Sequence, residues 1–396
     1  MTVLGATADL SSGISLVLVW AAAIHLLAIC IFHLHLELGM RRIRYLEELP
    51  AVAGPLPSLS IVVAARNEER DIEEALRSLL ALEYSPLEVI VVNDRSTDAT
   101  GSILERISLD HPSLQVLHLE ELPENWLGKN HALQQGANIA AGEYILFTDA
   151  DVVFQPDSLQ RAVAHADQEQ LGMLAALPSI TMPSLLLESF VGMFASAFVS
   201  YFKPWKAPDP DSQAYVGVGA FNLVSAKAYR EAGMHEPIRM RPDDDVQLGK
   251  LMKKAGHRLE MVNAAGAISV QWYSSVRELV RGLEKNIVAG VEYRLSILAG
   301  VLLGLVGFFL WPFVAVVVVP GVAGRIYLAV ILLMIGLNMI WARKVGVGAL
   351  SAICLPLTVL LCIYILIRNT FLTYWRGGIQ WRDTHYSLKE LRANKI

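Results

Sequence analysis

Asp149-Ala150-Asp151 ends the apolar run at residues 143–151 (EYILFTDAD), and carboxylates two apart in an extended segment project to the same side. Two such oxygens suit a hard divalent ion, one that keeps several waters and is completed by substrate phosphates. Further along, Asp243-Asp244-Asp245 sets three acids in a row. Their mutual repulsion raises the proton affinity of at least one, and a positioned carboxylate is what an acceptor hydroxyl needs before it can attack. A structural reading competes: Asp243 caps a helix and the other two acids decorate its first turn. Two further polar clusters close apolar runs, Arg66-Asn67-Glu68 after LSIVVAA and Asn93-Asp94-Arg95 after LEVIVV. Asp94 and Glu68 would serve equally as residues that start the helices behind them. The three cysteines, Cys30, Cys354 and Cys362, all lie inside apolar runs, so the chemistry falls to oxygen and nitrogen groups.

Something must bring these clusters to one place. Residues 59–65, 87–94, 114–120 and 143–151 are short, β-branched and apolar, and read as strands. Between the first two, residues 69–80 (ERDIEEALRSLL) carry Ile72, Leu76, Leu79 and Leu80 at the spacing of a helix lying on a sheet. Strand–helix–strand repetition with near-continuous apolar strands predicts an α/β domain with a parallel sheet covered on both faces. Ligands of such sheets bind beyond the carboxyl ends of the strands, which is where the polar clusters fall.

The composition adds a second environment. Hydrophobic residues make up 54% of the 396 and charged ones only 18%, against roughly 25% charged in a soluble domain. The net charge of −5 leaves no basic field for nucleic acid. Residues 14–36 are free of acids and strong bases and long enough to cross a bilayer; Arg41, Arg42 and Arg44 follow, which predicts an uncleaved anchor with its C-terminal end in the cytoplasm. Residues 295–319, 326–342 and 345–367 are three further spans, with Pro312 and Pro356 marking where helices break. Three spans would carry the C-terminus outside, yet the tail is rich in Arg and Lys, so one segment is expected to be re-entrant or interfacial. The expected division is an anchor at 1–44, a cytoplasmic catalytic domain at 45–290, membrane helices at 291–367 and a basic, aromatic tail at 368–396. Phe190, Phe194, Phe198 and Phe202 form a stripe at four-residue spacing, read either as core or as a membrane-interface helix.

The runs SIVVAARNEE, VIVVNDRSTDAT, GKNHALQQGANIAAGEYILFTDAD and DDDVQLGKLMKKAGHR, in that order, resemble the inverting family 2 glycosyltransferases of GT-A fold over about residues 57–290. The layout of anchor, catalytic domain and trailing helices looks like the ceramide glucosyltransferases, the hopanoid-associated glycosyltransferases and the bacterial carotenoid or glycolipid glycosyltransferases. That resemblance implies a UDP-sugar donor held by Ala65, Arg66, Asn67, Glu68 and Asp94, with Lys129 near its phosphates. It also implies Mg2+ or Mn2+ and the diphosphate on Asp149 and Asp151, and Asp245, with Asp244 second, as the catalytic base. A QxxRW motif usual in polymer-extending members is missing. Gln271-Trp272 is the nearest match, and Arg281 or Lys285 would supply its positive charge. The expected activity is sugar transfer to a lipid hydroxyl by a multi-pass protein of the cell inner membrane. A polysaccharide synthase and a non-catalytic nucleotide-sensing membrane protein are the alternatives.

Overall fold

The computed structural model describes residues 2–50, 54–381 and 384–394, with side chains from residue 15 onward. The tail residues Arg382 and Lys395 lie outside the described residues. A long helix, α1 (Thr2–Met40), leads into the globular part. There β1 (Leu59–Ala65), α2 (Ile72–Leu80), β2 (Leu87–Asp94), α3 (Thr100–Ser108), β3 (Leu114–Leu119), α4 (Gly128–Ile139) and β4 (Tyr144–Asp149) alternate as the sequence pattern requires. Helix α2 buries Ile72, Ala75, Leu76 and Leu79 as one stripe, and Glu74 and Arg77 face solvent. Strand β1 pairs in parallel with β2 and β4, and β2 with β3, so four strands end at one rim. Both faces are covered: Ile61, Val63, Val89 and Val91 pack into one core, and their alternates Val62, Ile90 and Val92 into the other.

The sheet then continues in a way the sequence reading did not anticipate. After β5 (Val152–Phe154), α5 (Ser158–Gln168), β6 (Met173–Leu177), β7 (Ser179–Thr181) and α6 (Leu185–Phe202) come β8 (Asn222–Ser225), α7 (Ala226–Glu231), α8 (Asp244–Lys254), β9 (Leu259–Asn263) and β10 (Ile268–Gln271). The main sheet runs β3-β2-β1-β4-β8-β6-β9, and β8 is antiparallel to both of its neighbours. The parallel sheet expected from the strand pattern is therefore a mixed one. Strand β8 is only four residues long, too short for periodicity to reveal. A small second sheet, β5-β10-β7, closes over the rim side.

Two short helices, α9 (Val276–Gly282) and α10 (Glu284–Ala289), lead to the apolar ones. These are α11 (Leu295–Gly304), a π-helical turn (Leu305–Leu310), α12 (Trp311–Val318), α13 (Gly321–Lys344), a 3-10 stretch (Ala349–Cys354) and α14 (Leu355–Trp375). Pro312 and Pro356 stand in the first turns of α12 and α14, where a missing N–H costs nothing, so they start helices after irregular turns. An antiparallel hairpin, β11 (Gly378–Trp381) with β12 (Thr384–Ser387), and α15 (Leu388–Ala393) end the chain.

Among the described residues, five stretches are long and apolar enough to cross a membrane: Ser15–Met40, Leu185–Lys206, Leu295–Val318, Gly321–Lys344 and Ala349–Trp375. The one beyond the four expected is built on α6. It starts at Leu185 rather than Ser189 because the Ser184 hydroxyl accepts the Leu187 N–H at 3.4 Å, so a charged Glu188 lies inside the first turn.

Candidate active site

Strand register sets the first layer. Ala65 pairs with Asn93 and Ala64 with Asp149, which puts the ends of β1, β2 and β4 side by side. Asp94 is buried and held by the Arg95 fork at 2.7 and 3.0 Å, with Arg66 at 3.8 Å. Asn67 has a different task. At φ 55 it accepts the Thr97 N–H on its side-chain oxygen at 2.8 Å and donates its own N–H to Ser96 at 3.0 Å, tying the first two rim loops together.

The Asp149–Asp151 pair differs from the sequence expectation. Strand β4 ends at Asp149, and Ala150-Asp151 is the turn into β5, so the two acids meet across a turn rather than along one strand face. Burial, together with the negative charges of Asp149 and Glu68, pushes the Asp151 carboxyl up to about 7. A carboxyl so reluctant to ionise marks uncompensated negative charge, which a cation would relieve. No group of three or more His, Cys, Asp or Glu that could hold a metal ion occurs among the described residues. A divalent ion on Asp149 and Asp151 would therefore take its remaining oxygens from phosphate and water, and the donor set fits that arrangement.

Lys129, in the first turn of α4, ties this pair to the second acid cluster. Its Nζ lies 2.8 Å from Asp149 Oδ1 and 3.2 Å from Asp244 Oδ2. Burial opposes its charge, but Asp149, Asp244 and Asp245 outweigh burial and hold the ammonium firmly protonated. Asp243 does not cap α8 with its side chain. Its carboxylate takes the Arg241 fork at 3.0 and 2.9 Å and the Gln247 amide at 2.7 Å, which anchors the acid run. Asp245 Oδ2 accepts the Gly219 N–H at 2.9 Å. A Cβ at Gly219 would sit 2.8 Å from Asp149 Oδ2 and 3.5 Å from Asp245 Oδ2, so glycine leaves room for both carboxylates beside its backbone. Burial first, then the charge of Asp244, pushes the Asp245 carboxyl up to about 7, with Lys129 pulling the other way. Asp244 is raised too, by burial, against the pull of Lys129.

A cavity of about 670 Å³ opens over this floor. Ala65, Arg66, Glu68, Asp94, Lys129, Asp149 and Asp151 line it from the sheet rim, and Trp272, Tyr273, Arg277, Arg281 and Lys285 from the side of α9 and α10. Asp244 and Asp245 lie beneath it in a narrower space shared with Lys129, Asp149 and Gly219. Asn67 and Gln271 do not line it. Sequence reasoning missed Gly219, Tyr273 and Arg277; the alternation Gly217-Val218-Gly219 was the available signal for the first. It also missed Gln380, Trp381 and Tyr386, which line the same cavity from the C-terminal hairpin. The sequence marks that tail as basic and aromatic but gives it no role.

Comparison with known proteins bears on what such a cavity serves. Residues 60–199 match the family described as Glycosyl transferase family 2. The chain is 24% identical over 351 residues to a 4,4'-diaponeurosporenoate glycosyltransferase of Staphylococcus aureus (strain bovine RF122 / ET3-1), an alignment covering 84% of this chain and 89% of the relative. The protein of the same name from strain USA300 is 23% identical over the same coverage. Among solved structures, the mannosyltransferase PcManGT from Pyrobaculum calidifontis, in complex with GDP-Man and Mn2+, superposes with a TM-score of 0.55 over 92% of this chain and 99% of its own, at 18% identity. At that identity the likeness is one of fold.

Proposed function

We propose, from the premise that this chain is a glycosyltransferase whose globular domain is a family 2 domain of GT-A fold, that it moves a sugar from a UDP-sugar to a hydroxyl of a membrane lipid with inversion at the anomeric carbon. The observation that carries this reading is the floor of the cavity, where Lys129 joins Asp149 to Asp244 with Asp245 alongside. One place thus holds groups for a diphosphate and a group for a proton.

In this reading Arg66, Glu68 and Asp94 face the nucleoside, and Lys129, Arg281 and Lys285 face the diphosphate. Asp149 and Asp151 would hold Mg2+ or Mn2+, whose chemistry is to neutralise the leaving diphosphate. Asp245 takes the proton of the acceptor hydroxyl. The acceptor oxygen forms its bond to the anomeric carbon as the bond from that carbon to the phosphate oxygen breaks on the opposite side, which inverts the configuration. A carboxyl held near 7 is well matched to this task, since it is partly ionised at neutrality and basic enough to accept the proton.

A lipid acceptor is supported by the five apolar helices and by relatives named for 4,4'-diaponeurosporenoate. The catalytic domain faces the cytoplasm in this proposal, with Arg41, Arg42 and Arg44 after α1 and the Lys344–Glu37 ion pair joining the inner ends of α13 and α1. Mass spectrometry of lipids from cells with and without the protein tests it. A glycosylated lipid should appear only with the wild-type chain and be lost with Asp245→Asn, and identical lipid profiles would overturn the assignment.

A further inference from the structure

The chain beyond the last membrane helix returns to the cavity. Gly377, at φ +66, turns it out of α14, and β11 pairs with β12 so that Ile379 faces Tyr386 and Trp381 faces Thr384. Ile379 and Trp381 share a strand face. Ile379 is buried with Tyr386, Leu391, Leu127 and Met240, which fixes that face against the catalytic domain. Asn394 adds two polar anchors: its Oδ1 accepts the Met240 N–H at 3.0 Å, and its Nδ2 donates to the Pro237 carbonyl at 2.9 Å. Arg368 and Arg376 both pair with Glu284, at 3.3 and 2.6 Å, and hold the root of the hairpin to α10.

Next to Glu284, Lys285 places its Nζ 4.1 Å from the centre of the Trp381 ring. Tyr386 lines the cavity together with Gly128, the residue before Lys129. The hairpin therefore borders the cavity beside both lysines' elements.

We infer that this hairpin is the closing wall of the donor cavity, and that Trp381 is a positioning residue which holds the Lys285 ammonium toward the diphosphate of the nucleotide-sugar. The inference rests on the donor reading above. A lysine stem is flexible, and an aromatic face restrains its ammonium. Lys285 lines the same cavity as Lys129 and Asp149. Trp381 is only half-buried, so shortening it opens no core cavity.

The test is titration of the detergent-solubilised full-length protein with UDP or GDP in the presence of Mn2+, alongside donor and acceptor KM. Trp381→Leu should weaken nucleotide binding about tenfold and raise donor KM to match, with acceptor KM unchanged; Trp381→Phe should recover part of the loss. Lys285→Ala should cost a similar factor, and the double variant no more than the larger single loss. Nucleotide affinity unchanged in Trp381→Leu, or losses that multiply in the double variant, would overturn the inference alone. Wild-type protein that binds neither nucleotide would overturn the donor reading and this inference with it. Should Trp381→Leu prove unstable, Trp381→Phe decides: affinity equal to wild type overturns the inference, and an intermediate affinity supports it.

Discussion

Asp245 and Asp151 each have a carboxyl near 7, and the sign of the consequence is fixed. A raised acid is protonated at a pH where an ordinary carboxylate is still charged, so activity is lost as pH falls through about 7. For Asp245 as the base, kcat/KM should fall as pH drops through about 7, and a pH–rate profile flat down to pH 5 would remove it from that role. Lys129 lowers the proton affinity of Asp245, so Lys129→Met should move the acid limb to higher pH as well as slow turnover. Asp245→Asn should cut kcat by about 10²–10⁴ with UDP binding retained, read by single-turnover kinetics. Asp151→Ala should abolish the Mn2+ dependence of UDP binding; an undiminished dependence would argue for other ligands. Their positions were legible as an acid pair that closes an apolar run, Asp149-Ala150-Asp151, and as a run of three acids, Asp243-Asp244-Asp245. Gly219 was not, because its role arises from a contact with Asp245 across 26 positions of sequence, which the alternation Gly217-Val218-Gly219 does not by itself reveal.

Helix α6 shows what periodicity can and cannot say. The phenylalanine stripe is real, with neighbouring rings 6.3, 6.3 and 4.9 Å apart, but it is neither all core nor all interface. Phe190 is buried, Phe194 is 38% exposed, and Trp272, a wall of the cavity, lies 4.8 Å from Phe194. The stripe thus runs from the packed interior past the cavity wall to Phe198 and Phe202, which are half-buried against the globular domain, Phe202 lying 5.6 Å from Tyr215. Phe194→Ser should raise acceptor KM about tenfold or more, from a loss of about 1.5–3 kcal/mol of apolar contact, and leave hydrolysis of the donor by water nearly unchanged. Phe190→Ala should instead lower stability by about 3–5 kcal/mol and depress both reactions, as thermal unfolding would record. Helical spacing predicted the stripe, whereas which rings face lipid depends on α9, α13 and α14, which lie far away in sequence.

Across the whole molecule, the conflict between span count and tail charge has a structural answer. The hairpin after α14 docks on the catalytic domain, so the tail and that domain share a side. Helix α14 also begins on that side: Val347 packs with Val191, and Gly348 lies against the Glu188 carboxylate of α6. Its first turns, at Leu355 and Val359, pack with Ile29, Val330 and Met334, the middles of α1 and α13, and go no deeper. In the membrane placement proposed above, α14 would dip to half depth and return, leaving α1, α11–α12 and α13 to cross. Cysteines placed at Ser212 and Lys389 should both resist a membrane-impermeant reagent added to intact cells, and reaction at either would break this arrangement. The docked hairpin has one more consequence, in the order of synthesis. Trp381 and Tyr386 leave the ribosome after every membrane helix, roughly 7–27 seconds behind the acids of α8 at about 5–20 residues per second. A nascent or truncated chain can therefore fold its base and strand rim and still lack the wall that closes over a nucleotide, so turnover waits on completed insertion.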